Sequence, residues 1–374
     1  MVSESTCFLA SLARAAGKYA DGKMGEMNSV PRHRRLLLVA LSVIPLLLLL
    51  ASVEIGLRVY DWSRGTSAHG RAFWYWGFVQ DPLMGYRSRP NLDIVLSGGN
   101  HLDTNAQGFR DLDLAIRPVA PRRLILCMGE SSTWGIGSSN RSTTWPHQLH
   151  LVLHGTDPRL LAFNAGMPGY SLVENLPLLN YRLLKYRPEA VVYMGFRNDV
   201  EFYMRGLTDE TDVNFYSRRL APLPATFLNN LFLRSSVVAL MTSRLGNAVQ
   251  LDQQTGVKEH QAGQELTPRG EELFRDQIAL IKRLCGRHHV KILWVDQPLD
   301  YAKRGTAAIG LKAAREILRD ELSQQGIPLL KAHAIYDYQH FPMIDDVHFN
   351  DAGNKHLASI LAPQILAELN KPAL

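Results

Sequence analysis

Two short segments far apart in the chain hold the side chains that a nucleophilic serine mechanism needs. Gly129-Glu130-Ser131-Ser132-Thr133-Trp134-Gly135 follows a strand-like run, and Asp345-Asp346-Val347-His348 stands near the C-terminus. A serine hydroxyl is a poor nucleophile until a hydrogen-bonded imidazole takes its proton, and that imidazole needs an acceptor on its other nitrogen to hold the right tautomer. An Asp three residues before a His, in one tight loop, supplies the acceptor locally. Each piece alone is ordinary, since a Ser in a Gly-rich turn is common loop chemistry and a DxxH is commonly a turn with a helix cap. Their order and setting carry the reading.

The setting comes from the elements around them. Arg122-Arg123-Leu124-Ile125-Leu126-Cys127-Met128 reads as a buried strand ending at Gly129. Ser131 therefore falls just past a strand's C-terminal end, where ligands bind in open α/β sheets. Two more loops share that address. Leu160-Leu161-Ala162-Phe163 leads into Asn164-Ala165-Gly166-Met167-Pro168-Gly169, and Ala190-Val191-Val192-Tyr193-Met194 leads into Gly195-Phe196-Arg197-Asn198-Asp199. With the DxxH loop, four loops can converge on one place.

These four segments, in this order, resemble the blocks of the SGNH (GDSL-like) hydrolase superfamily, which carry a Ser, a Gly, an Asn and a DxxH. The similarity spans about residues 122 to 370. The resemblance implies Ser131 as nucleophile, His348 as base and Asp345 as its orienting partner. It also implies an oxyanion hole from the N–H of Ser131, the N–H of Gly169 and the side-chain amide of Asn198. Acyl transfer needs such donors aimed at its tetrahedral intermediate, and one donor is worth roughly 3 to 4 kcal/mol. Two departures from the family pattern stand out: Glu130 replaces the usual Asp, and Arg197 is an extra residue between Gly195-Phe196 and Asn198. Glu130 neighbours the nucleophile without being a proton-transfer group, and Arg197 bears on the reach of Asn198.

Beyond the blocks, strand and helix patterns alternate. Helical spacing covers Thr143 to His154, Ser171 to Tyr186, Gly270 to Arg287, Thr306 to Gln325 and Asp351 to Leu369; strands fit Val290 to Val295 and Ile327 to Leu330. Alternating β and α predicts an α/β fold, a three-layer doubly wound parallel sheet of the SGNH or flavodoxin-like kind. Residues 196–265 break the alternation. That insertion is too long for an ordinary loop, and it is read as a lid or substrate-selecting segment, or else as a helical decoration.

The N-terminal third has a different character. Leu36 to Val53 is uncharged, follows Arg32-His33-Arg34-Arg35 and precedes Glu54 and Arg58. That length is marginally enough to span a bilayer, and the Arg cluster predicts a cytoplasmic N-terminus and an exported C-terminal domain. A cleaved signal peptide and a buried core helix are the competing readings. The expected organisation is a cytoplasmic segment over 1–35, a transmembrane anchor over 36–58, a juxtamembrane extension over 59–121 and the catalytic domain over 122–374. Nothing functional is read from residues 1–30. In the extension, Phe73-Trp74-Tyr75-Trp76 fits an interfacial aromatic belt or packing onto the main domain. Gly108-Phe109-Arg110 matches an element common ahead of the first block in exported members of the superfamily. Arg110 is thus read either as reaching the site or as a surface ion pair; with Arg197 it is a candidate for substrate contact.

Composition narrows the classes. The chain has 374 residues, 46% hydrophobic and 20% charged, which suits a globular core. The formal charge of +6 is not spread over it: residues 1–35 hold six Lys/Arg against three Asp/Glu, leaving 35 against 32 in the rest. A near-neutral body argues against a nucleic-acid partner. Cys7, Cys127 and Cys285 suggest no disulfide framework, and His147, His150 and His154, at helical spacing, lack the carboxylate or Cys of a metal site. Gly129, Gly135 and Gly137 lack dinucleotide-loop spacing. No cofactor or metal is expected.

The leading functional expectation is a serine ester hydrolase working through an acyl-enzyme at the cell envelope, on an O-acylated glycan or a lipid ester. An O-acyltransferase using the same Ser-His-Asp site and a glycan acceptor is the alternative, and a non-catalytic envelope assembly or binding protein on the same scaffold is the third.

Overall fold

The computed structural model describes residues 32–63, 77–96, 99–114, 122–204, 235–238, 240–241, 266–305 and 307–371. The chain divides into two compact units, residues 1–57 and 58–374. Helix α1 (Arg32–Ser63) holds the apolar run. Its segment Leu41–Ser63, 23 residues long and with a mean hydropathy of 1.9 over 18 of them, is long and apolar enough to cross a membrane. Phe73 to Trp76, Cys7 and most of the 196–265 insertion lie outside the described residues.

In the second unit, two antiparallel hairpins come first: β1 (Phe78–Asp81) with β2 (Gly85–Ser88), and β3 (Asp93–Val95) with β4 (His101–Asp103). Five parallel strands follow: β5 (Arg123–Gly129), β6 (Leu160–Asn164), β7 (Ala190–Met194), β8 (Lys291–Val295) and β9 (Leu329–Leu330). Their order across the sheet is β6-β5-β7-β8-β9. Both faces are covered, which is why these strands read as unbroken apolar runs. Along β5, Leu124, Leu126 and Met128 face one core and Ile125 and Cys127 the other. The first core includes Phe274, Ile278, Ile281 and Cys285 of α6 (Pro268–Arg287) and Leu311, Ala314 and Leu318 of α7 (Ala307–Gln324). The second is closed by α3 (Trp145–Thr156) and α8 (Asp351–Leu369). This is the three-layer doubly wound sheet expected from the alternating pattern. The chain leaves β5 for β6 on one side and reaches β7 on the other, so the C-terminal end of β5 is the topological switch point where such sheets bind ligands.

Local chemistry sets the helix ends. Thr267 caps α6 by accepting from Gly270 N at 3.0 Å, and Pro268 opens the helix, where its missing N–H costs nothing. The helix expected over Ser171 to Tyr186 is not continuous. It runs as α4 (Leu172–Leu178), then a π turn over Leu179–Leu183 and a 3-10 turn over Leu184–Tyr186. Pro177 cannot donate to the preceding turn and its ring crowds the carbonyl four residues back, so the ladder loosens there.

Ser171 and Glu174 form a capping box at the start of α4, with Ser171 N and Oγ each 2.8 Å from Glu174 Oε2. Burial pushes the Glu174 carboxyl up to about 7, against the pull of those donors. A carboxyl with a raised folded pKa binds more protons in the native state, so stability falls as pH rises from about 4.5 to about 7. The full loss is about 3 kcal/mol. Glu174→Gln keeps an acceptor and removes the titration. Its melting temperature should therefore fall less than that of the wild type between pH 4 and 8; parallel curves would exclude Glu174 as the source.

Candidate active site

Ser131 is the first residue of a four-residue helix, α2 (Ser131–Trp134), at the end of β5, and it is 7% exposed. Gly129 ends the strand with φ 148°, and a Cβ there would stand 1.9 Å from Met194 O, so only glycine lets the turn approach β7 this closely. Gly135 closes the helix in the left-handed region, its N–H bonded to Ser131 O.

The loop after β6 lies against α2. A Cβ on Gly166 would meet Trp134 N at 2.4 Å, and Asn164 Nδ2 donates to Trp134 O at 3.3 Å. Met167 N continues the pairing with β5 by donating to Gly129 O at 3.1 Å. Gly169 follows with φ 78°. Asn198 does not sit on a loop as expected. It lies in the first turn of α5 (Phe196–Met204), which begins directly after Gly195. Its Nδ2 donates to Tyr170 O at 3.1 Å, which holds the amide beside Gly169. Asp199, one residue on, accepts from Leu172 N at 2.7 Å and from Tyr193 Oη at 2.9 Å, tying α5 to α4 and to β7.

His348 stands two residues before Asn350, which caps α8 by accepting from Gly353 N at 2.8 Å. Its Nε2 is 2.7 Å from Ser131 Oγ, and its Nδ1 is 2.6 Å from Asp345 Oδ2. The other oxygen, Asp345 Oδ1, accepts from Val347 N at 2.9 Å and His348 N at 2.8 Å, so the carboxylate shapes the loop that presents the imidazole. Burial alone would raise the Asp345 carboxyl. The hydrogen bond and charge of His348 and the two N–H donors outweigh it, and hold the group well below the usual carboxylate range. Asp346 turns away from the ring toward Arg304, with Arg197 Nε 3.6 Å distant.

The loop after β8 clamps the DxxH segment. Asp300 N donates to Asp346 O at 2.9 Å, and Lys303 Nζ donates to Met343 O at 2.8 Å. Arg304 bridges Asp346 and Glu201, the latter at 3.0 Å. Arg197 also approaches Glu201, at 3.6 Å, so both guanidinium groups face carboxylates.

Arg110 departs from its reading as a surface ion pair. It is 2% exposed. Its guanidinium donates to the carbonyls of Gly135, His101 (3.0 Å) and Ser138 (3.3 Å) and lies 5.2 Å from the Trp134 ring centroid. It braces the turn behind the serine from within. Tyr86 does the same for the Gly169 loop, its hydroxyl donating to Pro168 O at 2.6 Å and its backbone carbonyl accepting from Tyr170 Oη. Asp111 Oδ2 accepts from Asn164 N at 2.7 Å. The segment over 77–114 is thus part of the frame behind these loops. The aromatic and GFR-bearing character of this stretch was the only signal for it. Gln297 and Arg304 carried none.

Among the described residues no group of three His, Cys, Asp or Glu is placed to hold a metal ion. His147, His150 and His154 line one side of α3, with ring centroids 6.1 and 5.2 Å apart. Cys127 and Cys285 are buried free thiols.

No protein-family model matches the chain. No curated protein matches it either. Among solved structures it is similar to an acetyl xylan esterase, at 14% identity over 65% of this chain and 99% of that one, with a TM-score of 0.42. A lipase/acylhydrolase from Enterococcus faecalis matches at 15% identity over 66% of this chain and 96% of that one, TM-score 0.42. A two-domain esterase active on acetylated mannans matches at 14% identity over 67% of this chain and 51% of that one, TM-score 0.40.

Proposed function

We propose that this protein is a serine ester hydrolase of the SGNH type, acting through an acyl-enzyme. The observation that carries the reading is the continuous relay from Ser131 Oγ through His348 to Asp345, at 2.7 and 2.6 Å. With Nδ1–H given to Asp345, the lone pair on Nε2 faces the serine hydroxyl. His348 takes that proton as Ser131 attacks the ester carbonyl, and returns it to the leaving alkoxide. Water, deprotonated by the same imidazole, then releases the acid. The N–H groups of Ser131 and Gly169 and the free hydrogen of the Asn198 amide receive the oxyanion. Asp346 and its two arginines hold the loop and take no part in proton transfer.

The apolar helix Leu41–Ser63, preceded by the Arg32 to Arg35 cluster, supports a single-pass anchor with the N-terminus in the cytoplasm and the catalytic unit outside. The substrate class that follows is an O-acyl ester of the envelope, on a glycan or a lipid. Two measurements test this. A fluorophosphonate should label Ser131 in the wild type and leave Ser131→Ala unlabelled; an unlabelled wild type rejects the mechanism. A reporter fused after Leu374 should work only if it functions outside the cytoplasm, and activity of a cytoplasm-only reporter rejects the topology.

A further inference from the structure

The geometry points to Glu130 and Gln297 as a positioning pair that locks the oxyanion donor Asn198 and the nucleophile Ser131 into one frame, an inference that rests on the serine-hydrolase reading above. The first residues of α5 have N–H groups with no partner inside the helix. Such groups are usually met by the side chain just before the helix. Here that residue is Gly195, and a Cβ on it would stand 2.4 Å from Tyr193 Oη. The cap comes instead from two other strand ends. Asn198 N donates to Glu130 Oε2 at 3.0 Å, and Arg197 N donates to Gln297 Oε1 at 2.9 Å. Gln297 Nε2 joins the two by donating to Glu130 Oε1 at 2.5 Å.

The pair also reaches the other catalytic loops. Glu130 immediately precedes Ser131, so its carboxylate and the nucleophile move together. Gln297 Nε2 lies 3.3 Å from Ser132 Oγ, which donates to Val347 O at 3.1 Å, next to His348. Both side chains are 0% exposed. Every partner of the Glu130 oxygens is a donor, which suits a carboxylate and not a carboxylic acid. Its negative charge stands at the positive end of α5. Burial pushes the carboxyl up on balance, against the charge of Arg197, the Gln297 hydrogen bond, the charge of His348 and the Asn198 N–H. A carboxylate kept without solvent, next to Ser131 and bonded to both α5 and the loop after β8, fixes where the Asn198 amide lies relative to Ser131. That relation matters in the transition state, when charge reaches the oxyanion, and little in ground-state binding.

Glu130→Gln sets an amide nitrogen against either Asn198 N or Gln297 Nε2, donor against donor. We expect kcat on a small activated acetyl ester to fall about a hundredfold, with KM changed by less than about threefold. The double variant Glu130→Gln/Gln297→Glu restores the pairing with roles exchanged: the new amide accepts from Asn198 N and donates to the new carboxylate, which accepts from Arg197 N. It should recover at least about tenfold in kcat over Glu130→Gln. Should Glu130→Gln not fold, Gln297→Ala reports on the same frame and should lose about tenfold in kcat alone. Wild-type kcat in either single variant, a loss confined to KM, or a double variant no better than Glu130→Gln overturns the pair. Wild-type enzyme that a fluorophosphonate labels and that turns over the ester, beside an inert Ser131→Ala, keeps those outcomes separate from a failure of the hydrolase reading.

Discussion

We expect Ser131→Ala to lower kcat on an activated ester by about a millionfold, His348→Ala to do the same, and the double variant to be little worse than either. The reason is the single 2.7 Å contact between Ser131 Oγ and His348 Nε2. Without the imidazole the hydroxyl keeps its proton, and without the hydroxyl the imidazole has nothing to activate. Each loss therefore removes the whole relay, and the second removes nothing further. What survives is catalysis by the oxyanion donors and by binding, which still exceeds the uncatalysed rate by about a thousandfold or more. Steady-state kinetics on the three variants checks this, with circular dichroism to show that each is folded. Losses that add on a logarithmic scale would mean that the two residues act in separate steps, and would sink the acyl-enzyme mechanism.

Asp345→Asn should lower kcat by about ten thousandfold while leaving the loop in place. Asp345 uses its two oxygens differently. Oδ1 accepts from Val347 N and His348 N, which an amide oxygen also does, while Oδ2 accepts from His348 Nδ1. An amide nitrogen in the second position is a donor. It favours the tautomer with its proton on Nε2, where the ring cannot take one from Ser131. The prediction is thus a large fall in kcat with a fall in melting temperature that is greatest near neutral pH. The pH dependence carries the opposite sign to that of Glu174. Asp345 is held below its unfolded pKa, so its contribution to stability is present above the unfolded value and is lost as pH falls through the folded one. The stability difference between wild type and Asp345→Asn should therefore shrink on acidification. A variant that keeps its turnover would remove Asp345 from the relay.

The parallel sheet was legible in the residues because each strand is buried on both faces and must be apolar throughout. Arg122 to Met128 and Ala190 to Met194 needed no partner to be recognised. The strand-end location of Ser131 followed from the same logic, and so did the DxxH spacing, since Asp345 and His348 meet within a single turn. Local patterns have local causes. The brace behind the site has none. Gln297 meets Glu130 across 167 positions, and Tyr86 meets Pro168 across 82. Arg110 departed from its surface reading because nothing in its neighbours signals three carbonyls waiting for a guanidinium. Asn198 was expected on a loop because the helix that holds it borrows its N-terminal acceptors from Glu130 and Gln297, with no capping side chain beside it to mark the start. Periodicity and spacing report on hydrogen bonds and packing within a few residues. A polar network between strand ends depends on which loops the sheet order brings together, and that order exists only once the chain is folded.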